Sequence, residues 1–457
     1  MLRSFFLLVG WVLCCEVGAA LPGRAQAVVP APASRVGAPA PAPRPVAPVP
    51  AAQAAAVDTV QLTLAQAEQR FVQSNLLLLA QRFNITAAQA QILQARLWDN
   101  PVVSVEQNIH NPETGRTFDV TRTGESILQV QQLVAIAGRR RAAANVAQAA
   151  ALVEQYNLQD LLRTLRLQLR TAFYDLYYKQ RTLAVYDTEI TSFQRIIPAY
   201  QQQYEKGNIA QKEVVRLKAF LFVLQNQRQQ LFVDMAPNMS DLRVLTRDTS
   251  GAYLTPQVNL PRTRDLSLGP YAMQQLVDSA QILRGDLLAR TAYLQQQGNN
   301  LHYQRALVAP DLLVGYTYDR AGSYIQNYNA LTLGVAVPVF NRNQGNIRTA
   351  QALIQSGQAQ LGQARLVVQN EVQQNYQLVS LIDAQFKQAD RDTTPFDRII
   401  GGIEQAYARR LIGLVEFLDY YQSYNDNLVQ LNQLRASRMR AFEQLNAAVG
   451  RPVFRAE

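Results

Sequence analysis

The chain says the same thing twice. Tyr204 and Tyr407 stand 203 residues apart, as do Ala137 and Phe340, and each pair marks the same landmark in a recurring plan. That plan is a helical run, two strand-like segments, a very long helix and a shorter return helix. A duplicated unit of this kind buries its apolar face against its twin, so both copies must fold into one structure.

The long helices constrain the shape most. After Gly138-Arg139-Arg140-Arg141 the pattern stays helical for about 65 residues, ~100 Å at 1.5 Å per residue. Leu162, Leu169, Leu176, Leu183, Ile190, Ile197 and Tyr204 recur at seven-residue spacing, and Leu158, Leu165, Ala172, Tyr186, Phe193 and Tyr200 form a second seam. Heptads sustained this far predict helices packed side by side in coiled-coil fashion. Ile354, Leu361, Val368, Ile382, Phe396 and Ile403 keep the same register in the second copy. The first long helix is expected to end at Tyr204–Asn208, with Gly207-Asn208 as a left-handed cap. A return helix follows over about residues 212–233.

Ahead of each long helix, Thr63 and Gln66 offer a reciprocal cap for a helix expected over residues 64–98, and a matching run covers 273–306. Pro101 and Pro310 stop them. Residues 102–109 and 126–134 then read as strands around a polar loop, and so do 312–318 and 330–337.

Composition fixes the setting. With 48% hydrophobic and 17% charged residues the chain is no disordered protein, and no later stretch has the ~18 to 20 apolar residues of a spanning helix. The net charge of +10 is dispersed without a basic, aromatic-laced run, which argues against nucleic acid. Residues 1–27 read as an export signal, with Ala25-Gln26-Ala27 as its cleavage site. Cys14 and Cys15 lie inside it, so the mature chain has no thiol unless one of them is a lipidated N-terminus, and Val12-Leu13 lacks the small residue of such a site. The Ala/Pro-rich residues 28–56 form an extended tether. The remaining divisions are a first repeat over 57–246, a linker over 247–268 on the outside, and a second repeat over 269–457.

Four strands of this length suit a bilayer but cannot close a barrel, and an open edge is intolerable in lipid, so the chain must oligomerise. His110 and His302 have no partner at metal-ligand spacing, Met235 and Met239 read as packing, and no nucleophile triad or phosphate loop is present. The residues predict neither an enzyme nor a cofactor or metal site.

The duplicated plan, the segment Pro338-Val339-Phe340-Asn341-Arg342-Asn343-Gln344-Gly345 and the two helix-hairpin tips resemble the TolC-type outer-membrane efflux channels, in particular the cobalt-zinc-cadmium branch. The resemblance spans residues 62–450. It implies a mainly α fold with a small β part: duplicated coiled-coil hairpins plus four transmembrane strands per chain, forming a trimeric tunnel. It further implies a homotrimer in the outer membrane of a Gram-negative bacterium, with a periplasmic helical portion. A periplasmic adaptor and an inner-membrane pump, of the resistance-nodulation-division type, are the implied partners. The function implied is a passive exit channel, with divalent metal cations or drugs as substrates.

Carried over residue by residue, the resemblance makes Glu416 and Asp419 acidic gate rings and Tyr407 with Glu213 a latch. Gly207, Asn208, Arg410, Leu411 and Gly413 become adaptor-docking tips. Ile412 stands where the family's latch Arg is expected, and Arg410 replaces a Gly. Pro198 and the pair Gly401-Gly402 lie 203 residues apart, and interior Pro and Gly weaken a helix by ~3 and ~1 kcal/mol, so they are candidate hinges. Two other readings compete. An adaptor would carry a single hairpin between β-rich domains, and a structural coiled coil would lack the alternating strands.

Overall fold

The computed structural model describes residues 58–121, 123–269, 271–321, 325–392, 402–403, 405–407, 409 and 411–455. The expected signal, the tether, Gly401 and Arg410 lie outside the described residues, as does Phe396 of the second seam.

Strand β1 (Thr59–Thr63) leads into α1 (Leu64–Ser74), and the expected cap is present: Thr63 N donates to Gln66 Oε1 at 3.0 Å and Gln66 N to Thr63 Oγ1 at 3.3 Å. The single helix expected over 64–98 is two helices. Asn75 breaks it, because its side chain accepts from Leu77 N and Leu78 N to start α2 (Leu76–Arg96) while its amide donates to Leu245 O. The run over 273–306 divides in the same way at Arg284, into α6 (Met273–Leu283) and α7 (Gly285–Ala306).

Hairpin β2 (Val102–Gln107) and β3 (Ser126–Val134) precedes α3 (Arg139–Glu205), one unbroken helix of 67 residues. Its partner α4 runs from Gln211 to Thr246, well beyond the expected end near residue 233 and through Pro237. The apolar face explains the difference: Met235, Met239, Leu242 and Leu245 are buried, and their burial outweighs the missing amide donor.

The linker is not merely an outer wrap. It supplies β4 (Tyr253–Gln257), which pairs in parallel with β1, and α5 (Leu260–Asp265). Leu62 and Leu254 are both buried there. Two five-residue strands, one containing Pro256, give too short an alternation to be read from sequence.

The second copy continues with β5 (Leu312–Asp319), β6 (Tyr328–Val335), α8 (Gln344–Asp392) and α9 (Leu414–Val449). Helices α4 and α9 share one length, 36 residues, and their ends are displaced by 203 at both termini, as the repeat requires.

The heptad seams lie inside: Leu169, Leu176, Leu165, Ala172 and Phe193 of α3, and Leu361 and Val368 of α8, are buried. One cluster around Phe71, Phe173, Met439, Phe442 and Leu445 holds the middle of the bundle, and a smaller one around Phe193, Leu217, Leu224, Phe417 and Tyr421 holds the end near the tips. Buried charges tie the layers. Arg170 joins Glu68 and Glu443, and Arg438 joins Asp383 and the carbonyls of Thr263 and Leu266.

Candidate channel surfaces

Each hairpin pairs as expected, and β3 also pairs with β5, giving one antiparallel sheet in the order β2-β3-β5-β6. Directly opposed residues share a face. Register therefore stacks Val103-Val130-Tyr316-Leu331 in one row, Gln132-Val314-Leu333 in the next and Val134-Leu312-Val335 in a third, all on the same, largely apolar side. The other side carries Ser104-Gln129-Thr317-Ala330 and Val102-Gln131-Gly315-Thr332 in its middle rows, with Leu133-Leu313-Gly334 at the end nearest the helices. The apolar side is open to its surroundings, with Val105 and Leu331 each 72% exposed and Leu333 63%. Strands β2 and β6 leave their outer edges without a strand partner among the described residues.

The sheet is anchored to the helices. Arg139, at the start of α3, pairs with Asp311 just before β5. In the second copy Asn343 adopts a left-handed backbone, φ 55°, and its amide donates to Gln304 O and Oε1 of α7 at 2.8 and 2.9 Å. The Pro338–Gly345 segment thus includes the hinge residue that turns strand into helix.

At the opposite end of the helices lie the tips. Gly207, φ 74°, closes α3: its N–H donates to Tyr204 O at 2.8 Å and Asn208 N to Gln203 O at 2.9 Å, the paired bonds of a left-handed cap. Gly207, Asn208, Gly413 and Leu411 are exposed, whereas Ile412 packs against the tip cluster. Gly413 precedes α9, and Glu416 and Asp419 project from its first turns, both exposed. They continue as one exposed stripe with Ser423, Asp426 and Gln430, spaced three and four apart on the side away from buried Leu414, Phe417 and Tyr421.

Tyr407 sits in a stack of rings, 5.8 Å from Tyr200 of α3 at 6° and 4.2 Å from Phe417 of α9 at 13°. Its hydroxyl is buried and has no hydrogen-bond partner among the described residues, so the hydrogen bond to Glu213 is not made within the protomer. Burial foremost, then the Tyr200 hydroxyl and the Glu213 charge, push its ionisation well above the usual phenol range. Glu213 is half-buried in the first turn of α4. Aromatic packing joins the second tip to α3 within the protomer. Of the hinge residues, Pro198 leaves α3 unbroken and Gly402 is helical.

Residues 67–233 match the family described as outer membrane efflux protein. The chain has the fold of the TolC-type efflux channels. It superposes on the CmeC outer membrane channel of Campylobacter jejuni with a TM-score of 0.70 at 14% identity, over 86% of this chain and 87% of that one. A membrane protein from Pseudomonas aeruginosa gives 0.70 at 15% identity, covering 84% and 92%. CusC, whose description concerns transmembrane channel formation, gives 0.69 at 15%, covering 85% and 92%. Comparison by sequence with curated proteins finds no match. The matched family is one of efflux proteins rather than enzymes. Among the described residues no helix is long and apolar enough to cross a membrane, and no group of three or more His, Cys, Asp or Glu side chains is arranged to hold a metal.

The tip acids and Tyr407 stand out in the sequence, whereas the roles of Tyr200 and Phe417 in the stack do not. The usable signal was the seam position of Tyr200, whose partner across the bundle only folding reveals.

Proposed function

We propose that this chain is the outer-membrane exit channel of a tripartite efflux pump, working as a homotrimer. The single observation that carries the reading is the four-stranded sheet, largely apolar and exposed on one face, with polar and small residues through the middle of the other, and unpaired at both edges among the described residues. Such a sheet is stable in lipid only when its edges are closed by further copies, and three copies supply twelve strands. The apolar face then meets lipid and the Ser/Gln/Thr/Gly face lines a wet lumen. Helices α3, α4, α8 and α9 extend the tunnel into the periplasm, where Gly207, Asn208, Arg410, Leu411 and Gly413 offer the surface that docks an adaptor linked to an inner-membrane pump.

Glu416 and Asp419 form the narrow end. Three copies of each carboxylate around one axis repel one another and attract cations, which favours passage of divalent metal ions, the substrate class that the branch resemblance implies. The decisive experiment is detergent extraction of outer membranes followed by native electrophoresis with and without heating. A heat-dissociable trimer in the outer-membrane fraction is expected. A soluble elongated monomer overturns the reading.

A further inference from the structure

Helices α3 and α9 run antiparallel with a fixed register near the tips. Phe193 lies 5.4 Å from Tyr421, and Asn432 Nδ2 donates to Thr182 Oγ1 at 3.2 Å, eleven residues further along each helix. Both pairs belong to the same register, and that register sets Glu189 opposite Asn425. Each is 3% exposed, and Glu189 Oε1, Glu189 Oε2 and Asn425 Oδ1 are all buried without a hydrogen-bond donor among the described residues. Three buried acceptors at one level of the helix pair without a donor are costly, and a proton on one of them relieves that cost.

We propose that Glu189 bridges α3 and α9 as a neutral carboxylic acid, its hydroxyl donating to Asn425 Oδ1, and that removal of this proton unlocks the two helices directly above the tips. One proton satisfies an orphaned oxygen on each side. Its loss leaves a buried carboxylate that the charge of Asp426, the residue after Asn425, further disfavours.

The surrounding groups agree. Tyr186, one turn earlier on α3, has its ionisation pushed up foremost by burial, so the layer around Glu189 is dry. The nearby cation on α4, Arg228, is engaged with Asp187, and Lys387 of α8 with Asp383. Arg398, further along the chain, lies outside the described residues. Burial first, and the Asp426 charge second, raise the Glu189 carboxyl from 4.5 to about 8. The sign follows from linkage. A carboxyl whose folded value is raised favours the folded state fully below its ordinary range, and that contribution is lost as pH rises to about 8 and is flat beyond it.

The test uses the full-length, detergent-solubilised protein, so it does not depend on conduction. Infrared difference spectra between about pH 6 and about pH 10 are compared for wild type and E189Q, alongside melting temperatures over the same range. The wild type should show the carbonyl band of a protonated carboxyl at the lower pH that disappears at the higher, and E189Q should lack it. E189Q should also melt no lower than wild type at the lower pH and show a shallower decline with rising pH. Absence of the band at the lower pH, or an E189Q protein that is less stable there, shows an ionised Glu189 with a donor of its own and overturns the proposal. N425L provides the second check. It should shift the disappearance of the band to lower pH, since it removes the acceptor that favours the neutral acid, and an unchanged midpoint also overturns the assignment.

Discussion

The ring of Tyr407 lies 4.2 Å from that of Phe417 and within 13° of parallel to it. With Tyr200 also stacked on it, Tyr407 closes the second tip by aromatic packing, and its hydroxyl makes no hydrogen bond to the described residues. Phe417 is buried, so the stack continues the tip core rather than decorating its surface.

Tyr407→Ala and Tyr407→Phe should therefore part company. The alanine variant removes the middle ring of the stack and should destabilise the folded protein by about 3 kcal/mol. The phenylalanine variant keeps the stack and removes a buried unpaired hydroxyl, so its melting temperature should match or exceed that of the wild type. If hydroxyl bonding across protomers is what closes the channel, Tyr407→Phe alone will raise single-channel conductance, and planar-bilayer recordings decide the point.

Glu416→Ala combined with Asp419→Ala should abolish cation preference and block by multivalent cations in planar bilayers while leaving assembly intact. Both side chains are exposed on the protomer, so the folded protein loses no packing. Unchanged selectivity in the double variant would assign these acids to the solvated first turns of α9, where they complement the helix dipole.

The two faces of the sheet should respond differently to charge. Leu333→Lys, on the apolar face, should oppose membrane assembly by ~2–4 kcal/mol if the residue lies near the bilayer midplane, whereas Thr332→Lys, on the polar face, should assemble normally and alter only selectivity. Quantifying each variant in outer-membrane fractions tests the assignment, and equal yields refute it.

Arg170 holds two carboxylates, Glu68 and the deeply buried Glu443. Arg170→Met should destabilise the bundle by about 3–5 kcal/mol because it leaves Glu443 uncompensated. Burial pushes the Glu443 carboxyl up, and Arg170 opposes that shift. Without the guanidinium the upward shift grows, and stability is then lost as pH rises above the ordinary carboxylate range. The deficit relative to wild type should thus be smaller in acid than at neutral pH, as read from melting curves.

Gly285 should tolerate no side chain. A Cβ there meets Asp160 N at 2.7 Å and Tyr156 O at 3.0 Å, both backbone atoms of α3, which cannot move aside as a side-chain tip can. Gly285→Ala should therefore lower the melting temperature by separating α7 from α3, with Gly298→Ala, whose Cβ meets nothing, as the neutral comparison.

The sequence by itself determined what depends on periodicity along the chain. The 203-residue repeat, the heptad seams, the capping box at Thr63 and the four strands were legible because each is a local spacing rule that propensity and helix geometry impose. The acids of α9 were legible as chemistry for the same reason, since three- and four-residue spacing puts them on one face. The tertiary structure decided what depends on two distant segments meeting. Asn75 and Arg284 break helices because their side chains find partners far away in sequence, Leu245 in one case and Glu371 in the other. Strand β4 exists because β1 lies beside it, and α4 runs through Pro237 because the core beneath it is apolar. The Tyr200-Tyr407-Phe417 stack and the Glu189-Asn425 pair follow from the register of helices that only packing sets. Burial and partner identity are properties of that packing, so the energies that hold the tips together could not be read along the chain.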